Sequence, residues 1–319
     1  MKDVLLVGEP MGMFIAEEYT DLMDANKFSR GIAGAEVNVG IGLARLGYNV
    51  SYATKIGKDP FGTYIEKYLK DENIGTEFVI FDSFYNTGLQ MKSKVEKGDP
   101  EVAYYRRGSA FSTLSIDDVK KIDFNDFRLV HVTGIPPALS KSAREAIFYL
   151  MGKAKENHCT ITFDPNLRLS LWEDKTTMIK VLNELASYAN IVLPGIQEGN
   201  ILTGQESVAG ISEFYHKLGV ETVIIKNGNQ GAYISEKDTV ISNVSGYKVE
   251  EVIDTVGAGD GFAVGVISGY LDGLSLEEAT KRANAIGSIQ VQNVGDNEGL
   301  PTGRELKEYM EMKELEKVQ

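Results

Sequence analysis

A chain of 319 residues with 43% hydrophobic and 25% charged residues holds enough apolar material for a sizeable core, and its balance excludes bulk disorder. Its 33 Lys and Arg against 46 Asp and Glu leave a net charge of −13, a surface that repels phosphate backbones and anionic lipid heads, so neither nucleic acid nor membrane is expected as a partner. The lone cysteine, Cys159, excludes an intramolecular disulfide and points to a reducing compartment, the cytoplasm.

From the N-terminus, residues 4–7 read as a buried strand. Glu9-Pro10 breaks that run too soon for a signal peptide, and no later stretch approaches the roughly 20 apolar residues of a membrane span. Further short apolar runs at 50–53, 129–132, 160–163, 191–193 and 223–225 have the continuous character of strands buried on both faces. Between them, helical spacing predicts helices over 37–46, 62–72, 140–157, 176–188 and 211–218, several ending at Gly or Asn. This alternation predicts an α/β fold: a largely parallel sheet in a three-layer α/β/α core.

Two regions break the rhythm. Residues 11–33 form no convincing helix, and 87–95 with 101–107 read as a β-hairpin joined by the turn Glu96-Lys-Gly-Asp-Pro100. Alternation along those strands puts Leu89, Met91, Ser93 and Val95 on one face, and Val102, Tyr104 and Arg106 on one face of the partner. The expected organisation is a core of residues 1–9, 34–86 and 112–319, with a small β lid of 10–33 and 87–111 inserted in it. Cys159 lies in an apolar run, which suits packing better than nucleophilic chemistry. His131, His158 and His216 are scattered without metal-ligand spacing or a Ser-His-Asp pattern.

The segment that carries chemistry is Asp254-Thr-Val-Gly-Ala-Gly-Asp260, followed by apolar residues at helical spacing. Gly257 and Gly259 let the backbone bend, so that its N–H groups face an incoming anion at the positive end of the helix dipole. Asp260 in such a turn suits a base that takes a proton from a hydroxyl while the amides hold the charge on a transferring phosphoryl group. A helix first turn also favours an acid for structural reasons alone. Neither a Walker A sequence nor Gly-x-Gly-x-x-Gly occurs here, since Phe262 stands where the latter needs its third glycine.

That segment resembles the C-terminal signature of the ribokinase-like (PfkB) carbohydrate kinases. The family's Gly-Gly-x-x-x-Asn segment resembles Ala33-Gly34-Ala-Glu-Val-Asn38, with Ala33 replacing the first glycine, and Gly-x-Asp-x-x-Gly is similar to Gly57-Lys-Asp59-Pro-Phe-Gly62. Within the family, Gly8-Glu9-Pro10, the run from Tyr104 to Ala110 and the run from Asp164 to Trp172 resemble 2-keto-3-deoxygluconate kinases. The resemblance implies ATP and Mg2+, with room for a monovalent cation, acting on a sugar acid. It implies Asp260 as the base, with an anion hole from Val256, Gly257, Ala258 and Gly259. Gly34 and Asn38 would contact sugar hydroxyls, while Tyr104, Arg106 and Arg168 hold the keto-acid end, with Gln90 and Asp296 as further substrate contacts. A guanidinium fork suits a carboxylate, and two arginines would reconcile an acidic substrate with an acidic protein.

On the nucleotide side the resemblance implies Asn166, Arg168, the loop residues Lys226, Gly228 and Gly231, and Asn284 near the adenine. The family's Asn-x-x-Glu becomes Gly195-Ile-Gln-Glu198, so only Glu198 remains to meet Mg2+, through water. Gln90 stands where relatives often carry tyrosine, which leaves a neutral-sugar kinase such as a fructokinase as an alternative. A silent sugar or nucleotide sensor is the alternative of another class. Lid strands with an apolar face suggest a homodimer.

Overall fold

The computed structural model describes residues 2–95, 100–293 and 295–316, so most of the expected hairpin turn lies outside the described residues. β1 (Lys2–Val7) enters a large sheet, and β2 (Met11–Ala16) and β3 (Phe28–Ala33) begin a small one. β4 (Val50–Gly57) and β5 (Gly75–Asp82) return to the large sheet, and β6 (Leu89–Lys92) and β7 (Val102–Tyr105) complete the small one. β8 (Phe127–Thr133), β9 (Thr160–Asp164), β10 (Ile191–Val192), β11 (Thr222–Lys226), β12 (Ala232–Glu236) and β13 (Ser242–Val244) finish the large sheet. Its order is β13-β12-β11-β10-β9-β8-β1-β4-β5, parallel except at β12 and β13, and the small sheet runs β3-β2-β6-β7.

The first helices are α1 (Ala35–Arg45), α2 (Pro60–Asp71) and the single turns α3 (Ile116–Val119) and α4 (Pro136–Leu139). α5 (Lys141–Glu156), α6 (Lys175–Ala186), α7 (Ile196–Thr203) and α8 (Val208–Lys217) cover one face of the large sheet, and α9 (Ala258–Leu271), α10 (Leu276–Gln290) and α11 (Gly303–Glu316) join α1 and α2 on the other. Local chemistry sets the starts. Asp59 accepts the amides of Phe61 and Gly62 ahead of Pro60, Ser140 accepts that of Ala143, and Ser275 and Glu278 form a reciprocal capping box.

Each central strand feeds two cores because its side chains alternate. Leu5 and Val7 pack in the core with α5 and α6, while Val4 and Leu6 pack in the core with α1 and α9; Ile224 and its neighbours Val223 and Ile225 divide likewise. Each such side chain contributes roughly 1.5–3 kcal/mol on burial. This two-sided burial explains the continuous apolar runs. Edge strands β5 and β13 are only partly buried, so they lack that signature, and residues 11–33, where no helix was expected, carry the two strands β2 and β3.

α9 and α10 approach closely because small residues face each other. A Cβ at Gly265 would sit 2.2 Å from Ala283 Cα, and one at Gly269 2.5 Å from Ala279 Cβ. Gly265→Ala is therefore expected to cost about 1–3 kcal/mol through overpacking, measured as a lower Tm. An unchanged Tm would show that the helices have room to spare.

Candidate active site

The chain builds outward from β1 in two directions, through β4 and β5 on one side and β8 to β11 on the other. Open α/β sheets bind ligands at such a switch point, beyond the carboxyl ends of their strands. Here those ends deliver Glu9 after β1, Ile135 after β8, Asn166 and Arg168 after β9, Glu198 in the first turn of α7 and Lys226 at the end of β11. Opposite them lies the inner face of the small sheet: Gln90 pairs with Tyr104 and Lys92 with Val102 across β6 and β7. Together with Gly34, Glu36 and Asn38 from the start of α1 and residues 255–257, 259 and 260 from the start of α9, they enclose a cavity of about 440 Å³.

Asp260 sits in the first turn of α9, 9% exposed. Asn38 Nδ2 donates to its Oδ2 at 2.8 Å and Asn166 Nδ2 to its Oδ1 at 3.3 Å. Burial, reinforced by the nearby Asp164, pushes its carboxyl up to about 7, against the pull of Asn38, Arg168 and Lys226. Gly257 precedes it at φ 77°, a left-handed conformation that glycine adopts without strain, and a Cβ there would strike the Asp296 carbonyl oxygen at 2.2 Å. The Val256 amide donates to Asp254 Oδ1 at 3.0 Å, and the Ala258 amide reaches Thr255 O at 3.4 Å. The amides of Gly257 and Gly259 have no protein acceptor among the described residues. The donors left for an anion are thus narrower than the expected run from Val256.

A second layer holds this arrangement. Lys226 Nζ donates to Asp164 Oδ2 at 2.6 Å, and Asp164 Oδ1 accepts the Asn166 amide at 3.0 Å, fixing Asn166 at φ 41°. Burial works against the Lys226 charge, but Asp164 and Glu198 outweigh it and raise its pKa. Asn166 Oδ1 is buried without a hydrogen-bond partner among the described residues, an acceptor suited to a ligand hydroxyl. Both Glu198 oxygens accept backbone amides, from Leu167 at 2.8 Å and Gly195 at 2.7 Å.

Three of the four cations in the cavity wall are already paired. Arg106 meets Glu9 through Nε at 2.6 Å, and Ser109 donates to the other Glu9 oxygen. Lys92 bridges Asp254 and Asp296, and Lys226 holds Asp164. Arg168 forms no ion pair among the described residues; its Nη1 donates only to Leu167 O at 3.1 Å. Glu36, which accepts the Thr133 hydroxyl, is pushed up to about 7 by burial, with Asp260 adding to the shift.

Of the expected site residues, Gly34, Asn38, Gln90, Tyr104, Arg106, Arg168 and Asp296 line the cavity, as do Asn166, Glu198, Lys226, Val256, Gly257, Gly259 and Asp260. Ala258, Gly228, Gly231 and Asn284 stand outside its wall. Asn284 Nδ2 braces the end of β13 through Val244 O and Ser245 O, and the Gly231 backbone abuts the same stretch. Sequence reasoning did not single out Glu36, Lys92, Asp164 or Asp254. Glu36, Asp164 and Asp254 lay within quoted motifs whose other residues were given the roles, and Lys92 offered only its place on the same strand face as Gln90.

The profile of the pfkB family carbohydrate kinases matches residues 1–303. A 2-dehydro-3-deoxygluconokinase from Bacillus subtilis (strain 168) is 47% identical over 97% of this chain and 95% of its own length. Another 2-dehydro-3-deoxygluconokinase, from Thermoproteus tenax, is 31% identical over 97% and 94%. The crystal structure of a PfkB protein from Polaromonas sp. JS666 superposes with a TM-score of 0.88 at 40% identity, covering 96% of this chain and 99% of that one. An ATP complex of a Pyrococcus horikoshii sugar kinase gives 0.81 at 30% identity, covering 96% and 97%. A glycine turn feeding a buried carboxylate into a helix, the doubly covered parallel sheet and these matches agree: the chain belongs to the pfkB family of carbohydrate kinases.

Proposed function

We propose that the chain transfers the γ-phosphoryl group of ATP to the primary hydroxyl of 2-dehydro-3-deoxygluconate, the 2-keto-3-deoxygluconate of the sequence resemblance. The observation that carries this reading is Asp260: a buried carboxyl with a pKa near neutrality, held by two side-chain amides beside two backbone N–H groups that have no acceptor among the described residues. It accepts the hydroxyl proton as the sugar oxygen bonds to phosphorus and the bond to ADP breaks. Gly257 and Gly259, with Ala258 between them, offer amides and a helix dipole to the transferring charge.

Sugar hydroxyls fit Gly34, Asn38 and the orphaned Asn166 oxygen, and Gln90, Tyr104 and Asp296 face them from the other walls. Arg168, the cavity cation without an acidic partner among the described residues, suits the substrate carboxylate or a phosphate oxygen, and Arg106, oriented by Glu9, lines the same cavity. Lys226 and Val256 line the side toward the phosphates, while Gly228, Gly231 and Asn284 suit shaping of the adenine end. Bound together with ATP, Mg2+ would neutralise phosphate charge. Glu198 fits a contact to it through water, because both its oxygens already serve backbone amides and Gly195 supplies no side-chain oxygen.

The small sheet, residues 10–33 and 87–111, acts as a lid whose closure excludes water from the transfer. The buried Cys159, whose thiol is pushed up by burial, suits a cytoplasmic setting. A monovalent-cation requirement is read by comparing turnover in potassium and tetramethylammonium salts. Gln90 in place of the family's frequent tyrosine favours one competing reading, a neutral-sugar kinase, and a substrate panel with fructose decides it.

On the small sheet and its loop, Tyr105 is 63% exposed, Tyr19 61% and Met23 88%. A second copy of the chain suits this apolar surface, and sedimentation is expected to give a homodimer; a monomer at working concentration rejects it. Asp260→Asn is expected to lower kcat about a hundredfold or more while ATP binding persists. In the native enzyme kcat should fall about tenfold per pH unit below about 7, since protonated Asp260 cannot accept the proton, and level off above it. Normal turnover by the Asn variant removes the base assignment, and absence of ADP release from the native chain with every sugar would indicate a sensor. Arg168→Ala should weaken acidic sugars at least tenfold more than neutral ones; equal losses would reject carboxylate recognition.

A further inference from the structure

Lys92 is 5% exposed at the end of β6, on the same face as Gln90. Its ammonium donates to Asp254 Oδ2 at 2.9 Å and to Asp296 Oδ1 at 3.0 Å. These two acids belong to the two loops that frame the glycine turn. Asp254 Oδ1 accepts the Val256 amide at 3.0 Å, and its Oδ2 also faces the Gly295 amide at 3.4 Å. Asp296 presents its carbonyl to Gly257, and Gln290 Nε2 ties Gly295 O at 2.8 Å to Val256 O at 3.3 Å. The second loop continues to Asn297, whose Nδ2 donates to Asn38 Oδ1 at 3.2 Å, and Asn38 in turn holds Asp260.

Asp296 is buried and Asp254 partly so, and two carboxylates brought together repel each other, so a cation between them favours the approach of their loops. That cation comes from neither loop but from the small sheet. Undocking the sheet would withdraw it and leave both acids without their cation. Burial disfavours the Lys92 charge, but Asp296 and Asp254 outweigh it and raise its pKa, while burial raises that of Asp296 against the pull of Lys92.

We propose that Lys92 is a positioning residue that couples docking of the small sheet to assembly of the 255–259 turn. A sugar seated against Gln90 and Tyr104 thereby completes the phosphoryl site through the next inward-facing residue of the same strand. This rests on the kinase reading above and deepens it: the turn is built for transfer only once the sheet that meets the sugar is in place.

The test uses the full chain with whichever sugar the native enzyme phosphorylates. Lys92→Met is expected to lower kcat at least tenfold on acidic and neutral sugars alike, with the sugar KM changed less than threefold. Lys92→Arg should restore most of kcat. Adding Asp254→Asn to Lys92→Met should cost little more, because the pair acts as one unit. A raised KM with kcat retained, or a loss confined to acidic sugars, would make Lys92 a substrate contact and overturn the proposal. Unchanged kinetics or fully additive losses would overturn it too. Should Lys92→Met fail to fold, Asp254→Asn alone is expected to lower kcat at constant sugar KM, and an unchanged kcat refutes the latch. Hydrogen exchange separates this from failure of the kinase reading. Even if no sugar is phosphorylated, the hydrogen-bonded amides of Val256 and of Gly261, which donates to Gly257 O, should exchange at least tenfold faster in Lys92→Met or Asp254→Asn than in the native chain, and equal rates refute the coupling.

Discussion

Asn38 and Asn166 donate to different oxygens of Asp260, and the rest of the site serves to keep that carboxyl both buried and ionisable. Burial alone would leave it protonated and inert as a base. Two side-chain amides, with Arg168 and Lys226 nearby, lower the cost of the charged form enough for its pKa to settle near neutrality. The fold supplies each of these groups from a different place: α1, the end of β9, the end of β11 and the start of α9. The parallel sheet brings them together because the carboxyl ends of its strands share one edge.

Charge balance then decides what the cavity can bind. Glu9 neutralises Arg106, Asp164 neutralises Lys226, and Asp254 with Asp296 neutralises Lys92. In a protein of net charge −13, what the cavity offers an anion is less the overall field than oriented donors: the guanidinium of Arg168 and the amides at the start of α9 that have no acceptor among the described residues. The paired cations act mainly as struts, and pairing leaves none of them as an uncompensated buried charge.

The core strands were legible in the sequence because burial on both faces writes an unbroken apolar run, as at residues 4–7 and 223–225. Asp260 was legible because glycines, a carboxylate and a helix follow one another within a few residues. Lys92 was not, because its partners lie 162 and 204 residues further along the chain and no local pattern announces them. Glu36 hid inside a recognised motif, where the glycine and asparagine drew attention and its partner Thr133 lies 97 residues away. The engagement of the Val256 amide by Asp254 is likewise a matter of turn conformation, which residue identities leave open.

Asn38 and Asp260 stand 222 residues apart, and Asn297, which steadies Asn38, comes later still. A ribosome therefore releases Asn38 and the small sheet, which line one side of this cavity, long before α9 and Asp260. Until that last stretch has emerged and packed, a nascent chain can bury much of its first core yet has no means of spending a nucleotide. The order of synthesis thus leaves the glycine turn and its carboxylate among the last parts of the cavity to be made.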